Sequence, residues 1–234
     1  MKQLTDTALV IIARYPEVGK TKTRLARSIG DEATVQLYRV FLTDLAQRFA
    51  GQQYDVYWTF TPVHVDYAAF IATLVPDFAS AMTCFPQQGA DLGGRLLYAF
   101  QWIHAQSYQN IILIGSDSPH VSRNIIANAR IALNEADVVL GPSDDGGYYL
   151  IAMHEPHDVF SGIPMSTSVV TQRTIEQAER QGLTIQCIDP LFDVDELPDL
   201  LRLAELLETD SQLAPATAAY ITSTRRLHDY NIHR

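Results

Sequence analysis

Apolar and polar positions along this chain follow two periods, and each change of period marks an element. Three uninterrupted apolar runs, Ala8 to Ala13, Ile111 to Ile114 and Val138 to Leu140, are short, rich in β-branched residues and closed by turns. Such runs predict strands buried on both faces of a parallel sheet. Strand character extends to Tyr54–Thr61, Ala81–Phe85 and Thr184–Ile188. Between the strands the period becomes helical. Asp31 and Glu32 open a helix whose Ala33, Leu37, Val40, Phe41, Leu45 and Phe49 share one face as far as Gly51. Further helices are expected over Val65–Leu74, Ile125–Glu135 and Leu200–Leu207, and from a Ser166-Thr167-Ser168 cap to Gln181, stopped by Gly182. The tail from Ala214 to Arg234 reads as one more helix with a polar end, and Phe160–Met165 as loop. The alternation predicts an α/β fold: a single Rossmann-like, mostly parallel sheet with helices on both faces. With no internal repeat, low-complexity tract or linker, residues 1–234 read as one domain.

The chemistry gathers where these strands end. In open α/β sheets ligands bind outside the carboxyl ends of strands. The run at Ile111 delivers Gly115-Ser116-Asp117-Ser118-Pro119, so Asp117 is a candidate ligand for a metal or hydroxyl, or else a cap for the next helix. The first strand breaks into Arg14-Tyr15-Pro16-Glu17-Val18-Gly19-Lys20-Thr21-Lys22-Thr23-Arg24. A Walker-type loop would need glycine where Arg14 stands. What remains is a strand-to-helix turn whose Lys20, Lys22 and Arg24 suit an anionic ligand, or a solvated basic loop. Gly89-Ala90-Asp91-Leu92-Gly93-Gly94-Arg95 has three glycines beside one acid and one cation, which suits close backbone approach to a ligand and equally a surface turn. Asp144-Asp145-Gly146-Gly147 is a second acidic turn, leading into a further strand over Tyr148–Ala152. Asp193 and Asp195, two apart in an extended segment, would point the same way.

Composition narrows the classes. A net charge of −10 without a basic block argues against a nucleic-acid polymer as partner, though not against a nucleotide. Hydrophobic residues at 47% supply a large core, and no run reaches the ~20 residues of a membrane span. A soluble, cytoplasmic protein is expected. The two cysteines, Cys84 and Cys187, lack metal-site spacing. The seven histidines are scattered. Of these, His120 lies beside the Asp117 turn and is expected at the surface.

Five ordered motifs, Pro-Glu-Val-Gly-Lys-Thr-Lys-Thr-Arg-Leu, Gly-Ala-Asp-Leu-Gly-Gly-Arg, Ile-Gly-Ser-Asp-Ser-Pro, Gly-Pro-Ser-Asp-Asp-Gly-Gly-Tyr-Tyr-Leu and Asp-Val-Asp-Glu-Leu-Pro-Asp-Leu, cover the chain to about residue 207. Together they resemble the glycosyltransferase-A-like proteins known as radical-SAM/selenodomain-associated transferases. The layout is also similar to the phospholactate and molybdenum-cofactor guanylyltransferases. The resemblance implies a nucleotide-diphospho-sugar transferase fold and transfer of a glycosyl or nucleotidyl group from a nucleotide or nucleotide-sugar donor to a small-molecule acceptor. It implies a divalent metal, Mg²⁺ or Mn²⁺, held by Asp117 with Asp193 and Asp195. Asp117, Lys22 and Arg24 become the catalytic set. Arg14, Gly19, Lys20, Lys22 and Arg24 become the phosphate contacts, joined by Asp91, Gly93 and Arg95, while Asp145, Gly146 and Gly147 line the acceptor or sugar side. The family's Trp-Ser-Thr pattern reads Met165-Ser166-Thr167 here. A non-catalytic nucleotide-binding module and a metal-assisted phosphohydrolase are the competing readings.

Overall fold

A computed structural model describes residues 5–51 and 53–224. Its centre is one seven-stranded sheet of order β3-β2-β1-β4-β6-β5-β7. In chain order the elements are β1 (Thr7–Arg14), α1 (Thr23–Ile29), α2 (Asp31–Phe49), β2 (Asp55–Thr61), α3 (Tyr67–Leu74), β3 (Met82–Pro86), α4 (Leu92–His104), β4 (Asn110–Gly115), α5 (Arg123–Ala132), β5 (Val138–Pro142), β6 (Tyr148–Met153), α6 (Val170–Arg180), β7 (Ile185–Cys187), α7 (Leu197–Thr209) and α8 (Pro215–Ser223).

The continuous apolar runs are continuous because both faces of their strands are covered. In β1, Leu9 and Ile11 join a core layer with α2, α3, α5 and α7, while Ala8 and Val10 join a second layer with α4 and α6. In β4, Ile112 and Ile114 face the first layer, Ile111 and Leu113 the second. All six of these β1 and β4 residues besides Leu113 and Ile114 are fully buried, and those two are 1% exposed.

The sheet is mixed. β1 pairs in parallel with β2 and β4, β2 with β3, and β5 with β7, but β6 runs antiparallel between β4 and β5. The run at Ile111 is therefore parallel to its neighbour on one side only, because the Gly146-Gly147 turn folds the chain straight back after β5. Three further expectations are corrected. Ser122, not Asp117, caps α5, its Oγ accepting from Ile125 N at 3.3 Å. Ser166–Ser168 do not cap α6, whose cap position is Val169 without a side-chain bond; Thr167 Oγ1 donates to Pro164 O instead. His120 is buried, at 4% exposure. The expected tail helix is seen as α8, and the rest of that stretch, 225–234, lies outside the described residues. Cys84 and Cys187 are free thiols. Among the described residues no helix is long and apolar enough to cross a membrane.

Candidate functional site

The sheet order reverses direction at β1, which sends its connections outward to β2 and β3 while β4 lies on its other side. The register Ile12↔Gly115 sets the ends of β1 and β4 side by side. The loop after β1 and the Asp117 turn after β4 therefore open onto one crevice, the switch-point position of an α/β sheet.

Lys22 is the hub of that crevice. It stands at the cap of α1 in a left-handed conformation, φ 42° and ψ 55°, which a non-glycine residue adopts at a cost of about 1 kcal/mol or more. The backbone turn drives its side chain inward, to 5% exposure. There the ammonium donates to Asp117 Oδ1 at 2.5 Å, Val194 O at 2.7 Å and Asp195 Oδ1 at 3.3 Å, with the Tyr38 and Phe41 rings 5.8 and 5.9 Å away. Burial works against the charge, yet the Asp117 and Asp195 carboxylates outweigh it and hold the amine above its ordinary pKa. Tyr38 is set behind it: its hydroxyl accepts from Arg14 N at 3.2 Å and lies 2.7 Å from Ser116 Oγ, and burial pushes it up to about 12.

The acids arrive by a second route. The chain after β7 keeps running along β5, with Ile188 N bonded to Leu140 O and Leu191 N to Pro142 O, and then crosses to the Asp117 turn, where Val194 N donates to Asp117 O at 3.0 Å. Ser118 Oγ donates to Asp193 Oδ1 at 2.5 Å. Burial, then the negative charge of Asp117, pushes the Asp193 carboxyl up to about 6. Asp195 turns the other way, its Oδ2 accepting from Arg24 at 2.7 Å. The three acids thus share the crevice without closing around one point: among the described residues no group of three His, Cys, Asp or Glu side chains is placed to hold a metal ion.

Two cavities meet here. One, of about 370 Å³, is ringed by cations, with Arg14, Lys20, Lys22 and Arg24 on its wall and Gln87 at its end. Gln87 Nε2 donates to Ala13 O and Thr59 O, which fixes its amide. The other, of about 420 Å³, has the exposed Asp145 at its edge and Asp193 deeper in its wall, beside an apolar stretch. Asp117, Asp195, Arg24, Ile12 and Leu92 belong to both.

The expected site residues divide accordingly. Lys22, Arg24, Asp117, Asp193, Asp195 and Asp145 come together, and Arg14 joins through the cationic cavity. Lys20 lines that cavity while pairing with Glu17 at 2.6 Å. Gly19 contributes the turn itself, at φ 75°. Gly146 likewise shapes its turn: at φ 87° it lies against the Ser168 backbone, where any Cβ would collide. From the 89–95 loop Leu92 alone lines the cavities, and the expected Asp91, Gly93 and Arg95 do not. Asp91 caps α4 through Gly94 N at 2.8 Å, Gly93 packs on Phe160 and Met165, and Arg95 lines neither cavity. Leu92 and Leu96 represent that segment instead. Tyr38, Gln87, Ser118, Ser143 and Tyr148 also line or support the site, with no signal of their own in the sequence, and Met165 lines the larger cavity. That position is the one where the family's Trp-Ser-Thr pattern reads Met165-Ser166-Thr167.

Comparison with known proteins places this geometry. A solved structure from Desulfovibrio desulfuricans G20, provisionally assigned as a nucleotide-diphospho-sugar transferase, is 30% identical, superposes with a TM-score of 0.85, and the alignment covers 95% of this chain and 96% of that one. The 4-diphosphocytidyl-2C-methyl-D-erythritol synthase of Anaerococcus prevotii DSM 20548 is 10% identical with a TM-score of 0.55, over 87% of this chain and 99% of that one. A cytidylyltransferase of Leptospira borgpetersenii serovar Hardjo-bovis (strain JB197) is 13% identical with a TM-score of 0.54, over 90% and 97%. These last two share the fold. No curated protein matches the sequence. Residues 45–167 match the family described as uncharacterized protein conserved in bacteria (DUF2064). On that match and on the Desulfovibrio relative, the chain belongs to the DUF2064 family and has the nucleotide-diphospho-sugar transferase fold.

Proposed function

We propose that this protein is a transferase that takes a nucleotide-activated donor, a nucleoside triphosphate or nucleotide-sugar, and passes a glycosyl or nucleotidyl group to a small acceptor. One observation carries the reading: a cationic cavity and an acidic, apolar-floored cavity meet at the Lys22–Asp117 contact. The relation to the Desulfovibrio protein and a fold shared with cytidylyltransferases support it.

In either form of transfer the acceptor oxygen forms the new bond while the bond to a phosphate oxygen breaks, and the electron pair stays on the departing phosphate. Lys22 and Arg24 are the groups that balance that charge, and the acceptor's proton passes to a carboxylate at the acidic rim. Lys22 is held there by Asp117, Val194 O and Asp195 before any ligand arrives, and its longest bond, to Asp195 at 3.3 Å, is the one a phosphate oxygen would replace.

A divalent metal suits the acids. Asp193 is raised first by burial and then by the like charge of Asp117, and a cation held between the two carboxylates would relieve the second of these. Asp117 and Asp193 would be the protein ligands, with oxygen donors from the ligand completing the shell of a hard ion. Bound there, the ion would supply electrostatic stabilisation of the phosphate charge.

Thermal denaturation against a panel of nucleoside triphosphates and nucleotide-sugars, with and without Mg²⁺ or Mn²⁺, tests this. A ligand of the native state raises stability by ~2.7 kcal/mol at a hundred times its dissociation constant. A shift with one nucleotide class, lost in Asp117→Ala, is expected. Absence of any shift at millimolar ligand counts against the donor site, and donor hydrolysis at full rate without acceptor points to the phosphohydrolase.

A further inference from the structure

The two cavities differ in a way that describes the second substrate. Around the larger one stand four carboxylates, Asp117, Asp145, Asp193 and Asp195, and one cation, Arg24. That guanidinium is already engaged, with Asp195 at 2.7 Å and Glu196 at 3.4 Å. Arg14, Lys20 and Lys22 line the neighbouring cavity, from which Lys22 compensates Asp117 at 2.5 Å and Asp195 at 3.3 Å, so the negative character of this cavity rests on Asp145 and Asp193. Below the rim, Leu96, Leu113, Tyr148, Ile151, Met165 and Val170 form an apolar floor. The hydroxyls of Ser166, Thr167 and Ser168 stand at the exposed lip.

Asp145 is held ready for a ligand. Its Oδ1 accepts from Ser143 Oγ at 2.6 Å and from Gly147 N at 2.9 Å, and Oδ2 takes no part in these bonds. The turn that presents it is fixed from behind, with Thr171 N donating to Gly146 O at 2.9 Å and Thr171 Oγ1 to Gly147 O at 2.5 Å. A rigid carboxylate above an apolar floor accepts a hydrogen bond from a hydroxyl or ammonium and repels an anion.

We propose that the acceptor taken by the larger cavity is an uncharged or cationic alcohol with an apolar body, its polar end bonded to Asp145, and that acceptors carrying phosphate or carboxylate are excluded. The proposal names the second substrate's class for the transferase described above and rests on that reading for the word acceptor; the charge selectivity of the cavity stands apart from it.

Saturation-transfer NMR on the full chain, with EDTA present and three probes of equal length, separates the cases: hexanediol, aminohexanol and hydroxyhexanoate. The diol and the amino alcohol are expected to receive saturation, with hydroxyhexanoate at least about tenfold weaker. Asp145→Asn keeps an oxygen for Ser143 and Gly147 and is expected to narrow that gap. Met165→Lys, a change of similar length on the floor, is expected to reverse the order in favour of hydroxyhexanoate, with thermal denaturation verifying that both variants fold. Equal binding of diol and hydroxyhexanoate, an order untouched by Met165→Lys, or no saturation of any probe overturns the proposal. The nucleotide panel reads the other cavity: nucleotide binding with an anion-tolerant acceptor cavity sinks this inference alone, and charge-selective probe binding without nucleotide binding sinks the transferase reading alone.

Discussion

Asp193, bonded to Ser118, and His120, packed on Phe192, lie close to the Asp117 turn and titrate in opposite senses. Burial and Asp117 raise the Asp193 carboxyl from 3.8 to about 6, so its favourable contribution is complete below about pH 4 and is lost as pH rises through 6. Burial, with Arg48 and Arg202 nearby, lowers the His120 imidazole from 6.5 to about 4, so its contribution is complete above 6.5 and is lost as pH falls through 4. Each is worth about 3 kcal/mol by the size of its shift. Their slopes oppose between pH 4 and 6, and these two contributions are expected nearly to cancel there. Asp193→Asn exposes the histidine's loss on acidification, and His120→Phe exposes the opposite trend; urea denaturation at pH 4.5 and 7 checks this, and two variants that both track the parent refute it. Lys22→Met is expected to lower stability by about 1–2 kcal/mol, less than a fully buried pair because Asp117 is 44% exposed, and to abolish the nucleotide-dependent thermal shift. Lys22 and Asp117 were legible because each follows a buried strand at a turn. Tyr38 and Gln87 were not, since their partners Ser116 and Thr59 are brought to them only by the assembled sheet.

At the scale of elements, the turn between β5 and β6 shows what a local pattern can and cannot say. The paired glycines announced a tight turn and a further strand, and both are present. They did not announce that β6 inserts antiparallel between β4 and β5, because that depends on which edges remain free after the parallel strands pair. The segment Ser166–Ser168 was misread for a related reason. Hydroxyl residues before a helix favour capping, but Ser168 is committed to packing on Gly146 and Ser166 takes φ 63°. Gly146→Ala is therefore expected to cost more than 3 kcal/mol, adding collision with the Ser168 backbone to the strain of positive φ. Gly162→Ala, at φ 77° with open space around it, carries the conformational strain alone and is expected to cost about 1 kcal/mol. Chemical denaturation of the two variants reads the difference, and equal losses would count against a turn fixed from behind.

Across the whole molecule, α8, the last helix among the described residues, is tied back to the first half of the chain by buried polar groups. Asp44 in α2 accepts from Ala216 N at 2.8 Å, Thr217 N at 2.9 Å and Thr217 Oγ1 at 2.6 Å, serving as the start of α8 from a distance. Arg48, one turn later, donates to the carbonyls of Pro119, Val121 and Leu213. Asp44→Ala leaves those donors unpaired and is expected to cost about 3 kcal/mol while leaving nucleotide affinity unchanged, because neither cavity of the crevice includes it. Neither tie was visible in the sequence, where Asp44 reads as one polar position on an amphipathic helix. The hairpin that carries Asp145 has the opposite character. β1, β2 and β4 assemble the cationic half from residues more than a hundred positions apart, whereas β5, β6 and the turn between them complete in a single reversal of the chain. Both halves draw on distant parts of the chain, from Ile12 to Asp195, but the Asp145 wall is closed by this one hairpin. Replacing residues 143–147 together with 165–168 therefore alters one wall of the crevice and leaves the Lys22–Asp117 contact, built on β1 and β4, standing.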